Sequence, residues 1–364
     1  MIRQELVEEE RWVSRDDFNR ILGVYQVLPG PEAHELCVYF GMLARGRIGG
    51  ILAGLGFMLP GFILMLALSA LYAGGLTSTR FQAFFLGAQP AVVALVIRAV
   101  HRIGSAAVTN GWLWSVALAV AAGQLSGVPF WMTLTLSGTT YLLATKRRPG
   151  LAAATLLMLL ILIGLGWAGD GSFVQRSFPA PTEAAGDQTH ASLPRLLVAG
   201  LRAGLLTFGG AYTVLPFLQR DAVLIGGWMT NAQFLDGVAL SGILPAPFII
   251  FATFVGYIGG GALGALALTF GVFLPAFAFT LLAHHPLERA TRHPAIRAFL
   301  DGVTAGVVGL IAATSLVLLA ASVRSPIAIV IFLAALAALY AWKAKAAVAG
   351  VILSAGAVGL LIFR

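Results

Sequence analysis

The chain has 364 residues, of which 59% are hydrophobic and 10% charged, with a formal net charge of +8. Soluble domains carry about a quarter of their residues as charge, so this composition excludes an ordinary soluble protein and predicts an all-α, polytopic integral membrane protein. The basic excess does not point to nucleic acid, because Lys and Arg cluster in short segments between apolar runs, where the positive-inside rule places them.

The N-terminal stretch MIRQELVEEERWVSRDD is acidic. It lacks the basic region and apolar run of a signal peptide. The first expected span, Phe18–Leu43, is broken at Pro29–Pro31 within YQVLPGPEAHEL, because proline removes a backbone donor and interrupts a helix. Ile48–Tyr72, Phe81–Val100, Trp112–Gln124, Val128–Thr145 and Leu151–Ala168 follow as expected spans. Residues 169–194, rich in Gly, Pro, Ser and Thr, read as a linker. Beyond it, Leu196–Phe217 is an expected span containing LLTFGGAYTVLPF, residues 219–233 an expected surface segment, and Phe234–Tyr257 a second broken span. Ala262–Ala283, Ala298–Ala321, Pro326–Trp342 and Ala346–Phe363 complete the series. Pro60 and Pro275 lie deep in spans without polar neighbours and read as kinks. The single Cys37 excludes an intrachain disulfide and reads as a small buried side chain.

The chain repeats itself. WVSRDDFNRILGVYQVLPGP (12–31) aligns with WMTNAQFLDGVALSGILPAP (228–247), sharing Trp12/Trp228, Phe18/Phe234, Leu28/Leu244, Pro29/Pro245 and Pro31/Pro247. GGILAGLGFMLPGF (49–62) parallels GALALTFGVFLPAF (264–277), and AFFLGAQPAVVALV (83–96) parallels AFLDGVTAGVVGLI (298–311). Two halves are therefore expected, residues 1–168 and 195–364, joined by the linker 169–194. An odd number of expected crossings separates the copies. The basic loops bearing Arg45 and Arg47, Arg98 and Arg102, Lys146, Arg147 and Arg148, then Arg289, Arg292 and Arg297, and Lys343 and Lys345, share one side only if the second half is inverted. An inverted-topology repeat with broken helices at matched positions is the pattern of a secondary transporter. The first half has no counterpart of the TFGG span that opens the second.

A helix that restarts after a Pro-x-Pro break presents unpaired N–H groups and a positive dipole end, which together hold an oxyanion. The candidate substrate-binding residues are Gln26, Pro29, Gly30, Pro31 and Glu32 at the first break and Pro245, Ala246 and Pro247 at the second. Thr207, Phe208, Gly209 and Gly210 join them, the glycines allowing close backbone approach and Thr207 offering a hydroxyl. The plainer alternatives are proline kinks and, for TFGG, helix packing through small residues. Glu32 and Glu35, with His34 between them, read either as carriers of coupling protons or as a solvated vestibule. Arg202 reads as an anion attractor or a snorkelling side chain, and Arg220 with Asp221 as an exposed pair. His284, His285 and His293 fit no zinc spacing. No HExxH or GxSxG motif occurs, so neither an enzyme nor a cofactor is expected.

QVLPGPEA followed by VYFG, and LLTFGGAYTVLPFLQRDAV, GWMTNAQFLDGVAL and ATFVGY followed by FLP, resemble the chromate ion transporter (CHR) family over nearly the whole chain. The resemblance implies a two-domain anion carrier of the bacterial inner membrane, associated with chromate resistance by efflux of the tetrahedral dianion. The family's PGP motif falls on Pro29, Gly30 and Pro31, its second copy on Pro245, Ala246 and Pro247, and its FGG motif on Phe208, Gly209 and Gly210. Ala246 stands where glycine is usual, and His34 and Glu35 stand where small or amide residues are more frequent. The family's opening FGG-bearing span has no counterpart ahead of QELVEEERW. An upstream start and a truncated, non-transporting chain both account for that. The expected cargo is chromate, exported in exchange for an ion or proton, with sulfate or another oxyanion as the alternative. The expected partners are that oxyanion and the lipid bilayer, with no nucleic acid and no metal; a homodimer is compatible with such a chain.

Overall fold

Backbone polar groups in hydrocarbon must bond within their own segment, and the apolar runs accordingly form helices. The computed structural model describes residues 4–26, 29–75, 78–168, 190–342, 344 and 346–363. The expectations for Leu28, for most of the linker (169–189), and for Lys343 and Lys345 lie outside the described residues. The described residues contain no strand. A π-helical turn, Gln4–Glu9, precedes α1 (Arg15–Tyr25), α2 (Glu32–Gly75), α3 (Thr79–Ala107), α4 (Gly111–Leu125), α5 (Phe130–Thr145) and α6 (Pro149–Ala168). The second half holds α7 (Leu193–Leu205), α8 (Leu215–Gln219), α9 (Asn231–Ile243), α10 (Phe251–Thr291), α11 (Pro294–Ser322), α12 (Pro326–Ala341) and α13 (Ala347–Ile362). Among the described residues, α2, α3, α6, α10 and α11 are long and apolar enough to cross a membrane, and α4, α12 and α13 are shorter apolar helices. The chain is thus an all-α polytopic membrane protein.

Both longest helices double back. α2 leaves helical geometry at Arg45 (φ −143°, ψ 31°) and Gly46 (φ 62°, ψ −158°), and α10 at Gly260 (φ −166°, ψ 29°) and Gly261 (φ 61°, ψ −153°). The second residue of each pair is left-handed, which glycine adopts without steric cost. Beyond the turn the second arm lies on the first. Gly41 packs against Gly49 and Ala53, and Gly256 against Gly264, small residues that let backbones approach closely. Thr253 and Thr269 share a hydrogen bond of 2.8 Å across the α10 pair. Through Pro60 and Pro275 the backbone stays helical; the glycine turns, not these prolines, redirect the chain.

The sequence expects spans through Phe18–Leu43, Leu196–Phe217 and Phe234–Tyr257, and the structure corrects all three. Each reverses at its break. After Pro29–Pro31 the chain returns so that Phe40 stacks on Phe18, centroids 5.8 Å apart and planes within 6°. α7 turns at Thr207–Gly210, bringing Asp221 to Arg202 at 2.8 Å and the Ile225 carbonyl to Arg195 at 3.2 Å. α9 turns at Pro245–Pro247, so that Phe251 packs edge-on against Phe234 at 4.9 Å and Ser241 donates to the Phe248 carbonyl at 2.9 Å. Hydropathy counts apolar residues and is blind to direction, whereas α7 and α9, with 13 residues each, fall short of the roughly 20 a span needs. Two further corrections follow. Arg98 and Arg102, expected in a loop, lie within α3, which runs on to Ala107. In the expected surface segment 219–233, Trp228 is only 2% exposed and packs against Gly259. Cys37 is half-buried and free.

The halves interlock. The long helix α3 packs against α12 and α13 of the other half, and α11 packs against α4 and α5. Glycines make both contacts: Gly87 of α3 meets Gly359 of α13, and Gly302 of α11 meets Gly138 of α5. The second arms of α2 and α10 also touch, Gly50 against Leu281 and Gly54 against Phe277. Residue numbers rise along one helix as they fall along the other, so these sequence-equivalent arms run in opposite directions.

Candidate functional site

The three reversals bring their tips together. The Gly30 N–H donates to the Thr207 carbonyl at 2.8 Å, joining the PGP break of the first half to the TFGG break of the second. Just past TFGG, Tyr212 stacks on Phe248, which follows the Pro245–Pro247 break, with centroids 4.1 Å apart. Gly61 of α2 faces Ala246 and Pro247, Gly209 faces Thr304 of α11, and Gly210 faces Ile103 of α3. The local sequence explains these shapes. Gly30, Gly209 and Gly210 have φ of 150°, 73° and 135°, values that L side chains rarely adopt. Proline supplies no amide to continue a helix across either Pro-x-Pro break.

Each restart leaves donors. In the first turn after a break, at Glu32 and Ala33 and at Phe248 and Ile249, the N–H groups have no acceptor inside their own helix. Thr207 is buried, and its hydroxyl donates to the Ala203 carbonyl at 2.7 Å; it serves the junction through its carbonyl. Phe208 is buried beside it. Gln26, at the end of α1, and Pro245 are exposed, whereas Gly30 and Pro31 are buried.

Charge comes from residues the sequence reading assigned to a loop. Arg102 lies within electrostatic reach of both Glu32 and Tyr212, and Arg98 of Tyr212. The two arginines are one helical turn apart on α3 and share a face. The available signal was their i, i+4 spacing, hidden by ending the span at Val100. A cavity of about 220 Å³ reaches Thr304, the residue facing Gly209, and is also lined by Thr109, Tyr141 and Asp301.

Other sequence candidates fall elsewhere. Arg202 is engaged by both carboxylate oxygens of Asp221, at 2.8 and 3.1 Å, so its charge is matched and does not await an anion. Arg220 lies over the Phe130 ring at 5.0 Å rather than forming an exposed pair with Asp221. His34 and Glu35 are fully buried, which overturns the solvated-vestibule reading. The His34 ring sits between Phe273 at 4.8 Å and Phe277 at 4.6 Å, and among the described residues the Glu35 carboxyl oxygens have no hydrogen-bond partner. No group of metal-ligating residues occurs among the described residues; His284 bonds the Tyr25 hydroxyl at 3.0 Å. Past the end of that span, Arg292 donates to Glu288 at 2.7 Å and holds its carboxyl below the usual carboxylate range.

A helical membrane protein whose chain breaks meet between two interlocked halves has the build of a secondary transporter. Comparison with known proteins narrows the class. The sequence profile described as Chromate transporter matches residues 1–167 and 194–360. A chromate transport protein of Pseudomonas aeruginosa is 52% identical over 372 aligned residues, covering 100% of this chain and 87% of the relative. A chromate transport protein of Cupriavidus metallidurans is 31% identical over 326 residues, 87% of this chain and 76% of the relative. An uncharacterized transporter of Methanocaldococcus jannaschii is 25% identical over 320 residues, 86% of this chain and 78% of the relative. The chain belongs to the chromate transporter family. No solved structure matches it.

Proposed function

We propose that this chain carries chromate out of the cell across the bacterial inner membrane, holding the dianion where the PGP, TFGG and Pro-Ala-Pro breaks meet. The observation that carries the reading is the Gly30 to Thr207 hydrogen bond, which sets the breaks of the two halves side by side. Charge balance supports it. Two helix N-termini supply roughly half a positive charge each, about one unit in all, and chromate carries two. Arg98 and Arg102 add two units, one more than the anion needs, and the Glu32 carboxyl within reach of Arg102 offsets that excess when ionised. The fold and family support transport rather than catalysis, and the candidate residues remain Gln26, Pro29–Glu32, Thr207–Gly210 and Pro245–Pro247, with Arg98, Arg102 and Tyr212 added.

The two halves, residues 1–168 and 195–364, are read as an inverted repeat. Replacing the expected crossings Phe18–Leu43 and Leu196–Phe217 by reversals removes two crossings between the copies and leaves the count odd. The opposed second arms of α2 and α10 support the same orientation.

Chromate accumulation in cells expressing the chain tests the proposal. Cells are expected to retain less chromate than those with empty vector, and the double substitution R98Q/R102Q is expected to raise the half-saturating concentration at least tenfold. Accumulation equal to empty vector would sink the transport reading. Sulfate competing as well as chromate would widen the cargo to oxyanions at large, because backbone donors and paired arginines recognise shape and charge alone.

A further inference from the structure

The structure holds a second buried polar cluster, away from the breaks. Asp236 of α9 is only 6% exposed. Its Oδ2 accepts from the Tyr72 hydroxyl at 2.7 Å and its Oδ1 from the Gln89 side-chain amide at 2.9 Å. Tyr72 lies on the second arm of α2 and Gln89 on α3, so an acid of the second half is held entirely by the first. An acid buried this deeply in a membrane protein is costly and marks function by default.

Packing alone does not explain it. A structural carboxylate is ordinarily matched by a base, and among the described residues none acts on this one. Of the helices packed on α9, α2 presents Tyr72 and α3 presents Gln89; α10 presents Phe251 and Phe254, and α13 presents Ile352. Among the described residues, no charged group of α10, α11 or α13 acts on Asp236. Nor is the acid part of the repeated machinery. The aligned position in the first half is Arg20, an exposed residue paired with Asp17 at 3.0 Å.

The partners suit a group that changes protonation. An ionised carboxylate accepts from the phenol; a protonated one donates to the phenol oxygen. An Asp236–Tyr72 bond therefore persists in either state with its direction reversed, and the Gln89 bond to Oδ1 stays in place, at the cost of turning the phenol hydrogen away from the acid. The location couples this exchange to the anion site. Asp236 lies about 12 Å along α9 from Leu244, at 1.5 Å rise per residue, on the arm that ends in the Pro245–Pro247 break.

We propose that Asp236 is a proton-binding site coupled to anion transport, loaded from water on one face of the membrane and discharged to water on the other. This rests on the transport reading above. The test uses the full chain reconstituted in liposomes, with membrane voltage clamped at zero and labelled chromate as the probe. Wild-type uptake is expected to rise several-fold under an imposed pH gradient. D236N is expected to lose that response while still exchanging chromate for chromate at equal pH. Y72F keeps the acid but removes the reversible bond, and is expected to shift the pH midpoint of the response. A D236N protein responding like wild type overturns the proposal, as does wild-type chromate uptake indifferent to the gradient. Should D236N fail to fold, an unshifted midpoint in Y72F overturns it. Wild-type protein that carries no chromate at all refutes transport itself, a separate outcome.

Discussion

At the scale of single residues, the junction depends on backbone shapes that few side chains permit. Gly30 has φ 150°, and a Cβ there meets the Glu35 carboxyl at 2.5 Å. The side chain that must give way is itself fully buried. A non-glycine residue in such a conformation costs about 1–3 kcal/mol, before the displacement of Glu35 is counted. Gly30→Ala is therefore expected to cut chromate transport at least tenfold while the protein still reaches the membrane, as measured by uptake normalised to surface expression. These positions were legible in the sequence because proline and glycine announce backbone conformation directly. Arg98, Arg102 and Tyr212 were not. Their nearness to the breaks depends on which helix faces which, and a span ended by hydropathy at Val100 turns two helical arginines into loop charges. Asp236 is inconspicuous in the sequence for a related reason: one acid in an apolar run gives no sign of the Tyr72 and Gln89 that meet it from other helices.

At the scale of elements, the repeat is written twice in nearly the same dihedral angles. The Arg45–Gly46 turn (−143°, 31° and 62°, −158°) and the Gly260–Gly261 turn (−166°, 29° and 61°, −153°) share one backbone shape and differ appreciably only in the first φ. Each contains one left-handed glycine with open space where a Cβ would be, so substitution there perturbs conformation without a clash. Gly46→Ala and Gly261→Ala are each expected to destabilise the purified protein by about 1–3 kcal/mol. The two sites share no partner, so the losses should add. Thermal unfolding in detergent measures both points; a double variant no worse than either single one would show that the turns are not independent. The sequence displayed the small residues flanking these turns, Gly41, Gly49, Gly256 and Gly264, as part of a repeat. It did not display the three re-entrant reversals. An apolar segment of about 24 residues reads the same whether it crosses a bilayer or enters and returns, and only the pairing of Phe18 with Phe40 or Arg202 with Asp221 distinguishes them.

At the scale of the whole molecule, neither half completes its own packing. α3 leans on α12 and α13, and α11 on α4 and α5. Residues 1–168 and 195–364 made as separate chains are expected to copurify when expressed together, and each is expected to be degraded or aggregated when expressed alone. Stable, monodisperse protein from either half by itself would contradict this dependence. The aligned Trp, Pro and Gly positions led to the two-part reading, but they gave no sign of the packing of α3 on α12 and α13, because a repeat tells which segments are alike and not which ones touch.

The glycine contacts Gly87 with Gly359 and Gly302 with Gly138 limit how cargo can pass. Swinging one half as a rigid lobe against the other would pull both seams apart together, exposing backbone packed too tightly for even a methyl group to enter. A fixed clasp with mobile short arms avoids that penalty. On this geometry the hairpins tipped by Pro29–Pro31, Thr207–Gly210 and Pro245–Pro247 are the parts expected to move, and the long helices the frame expected to stay still.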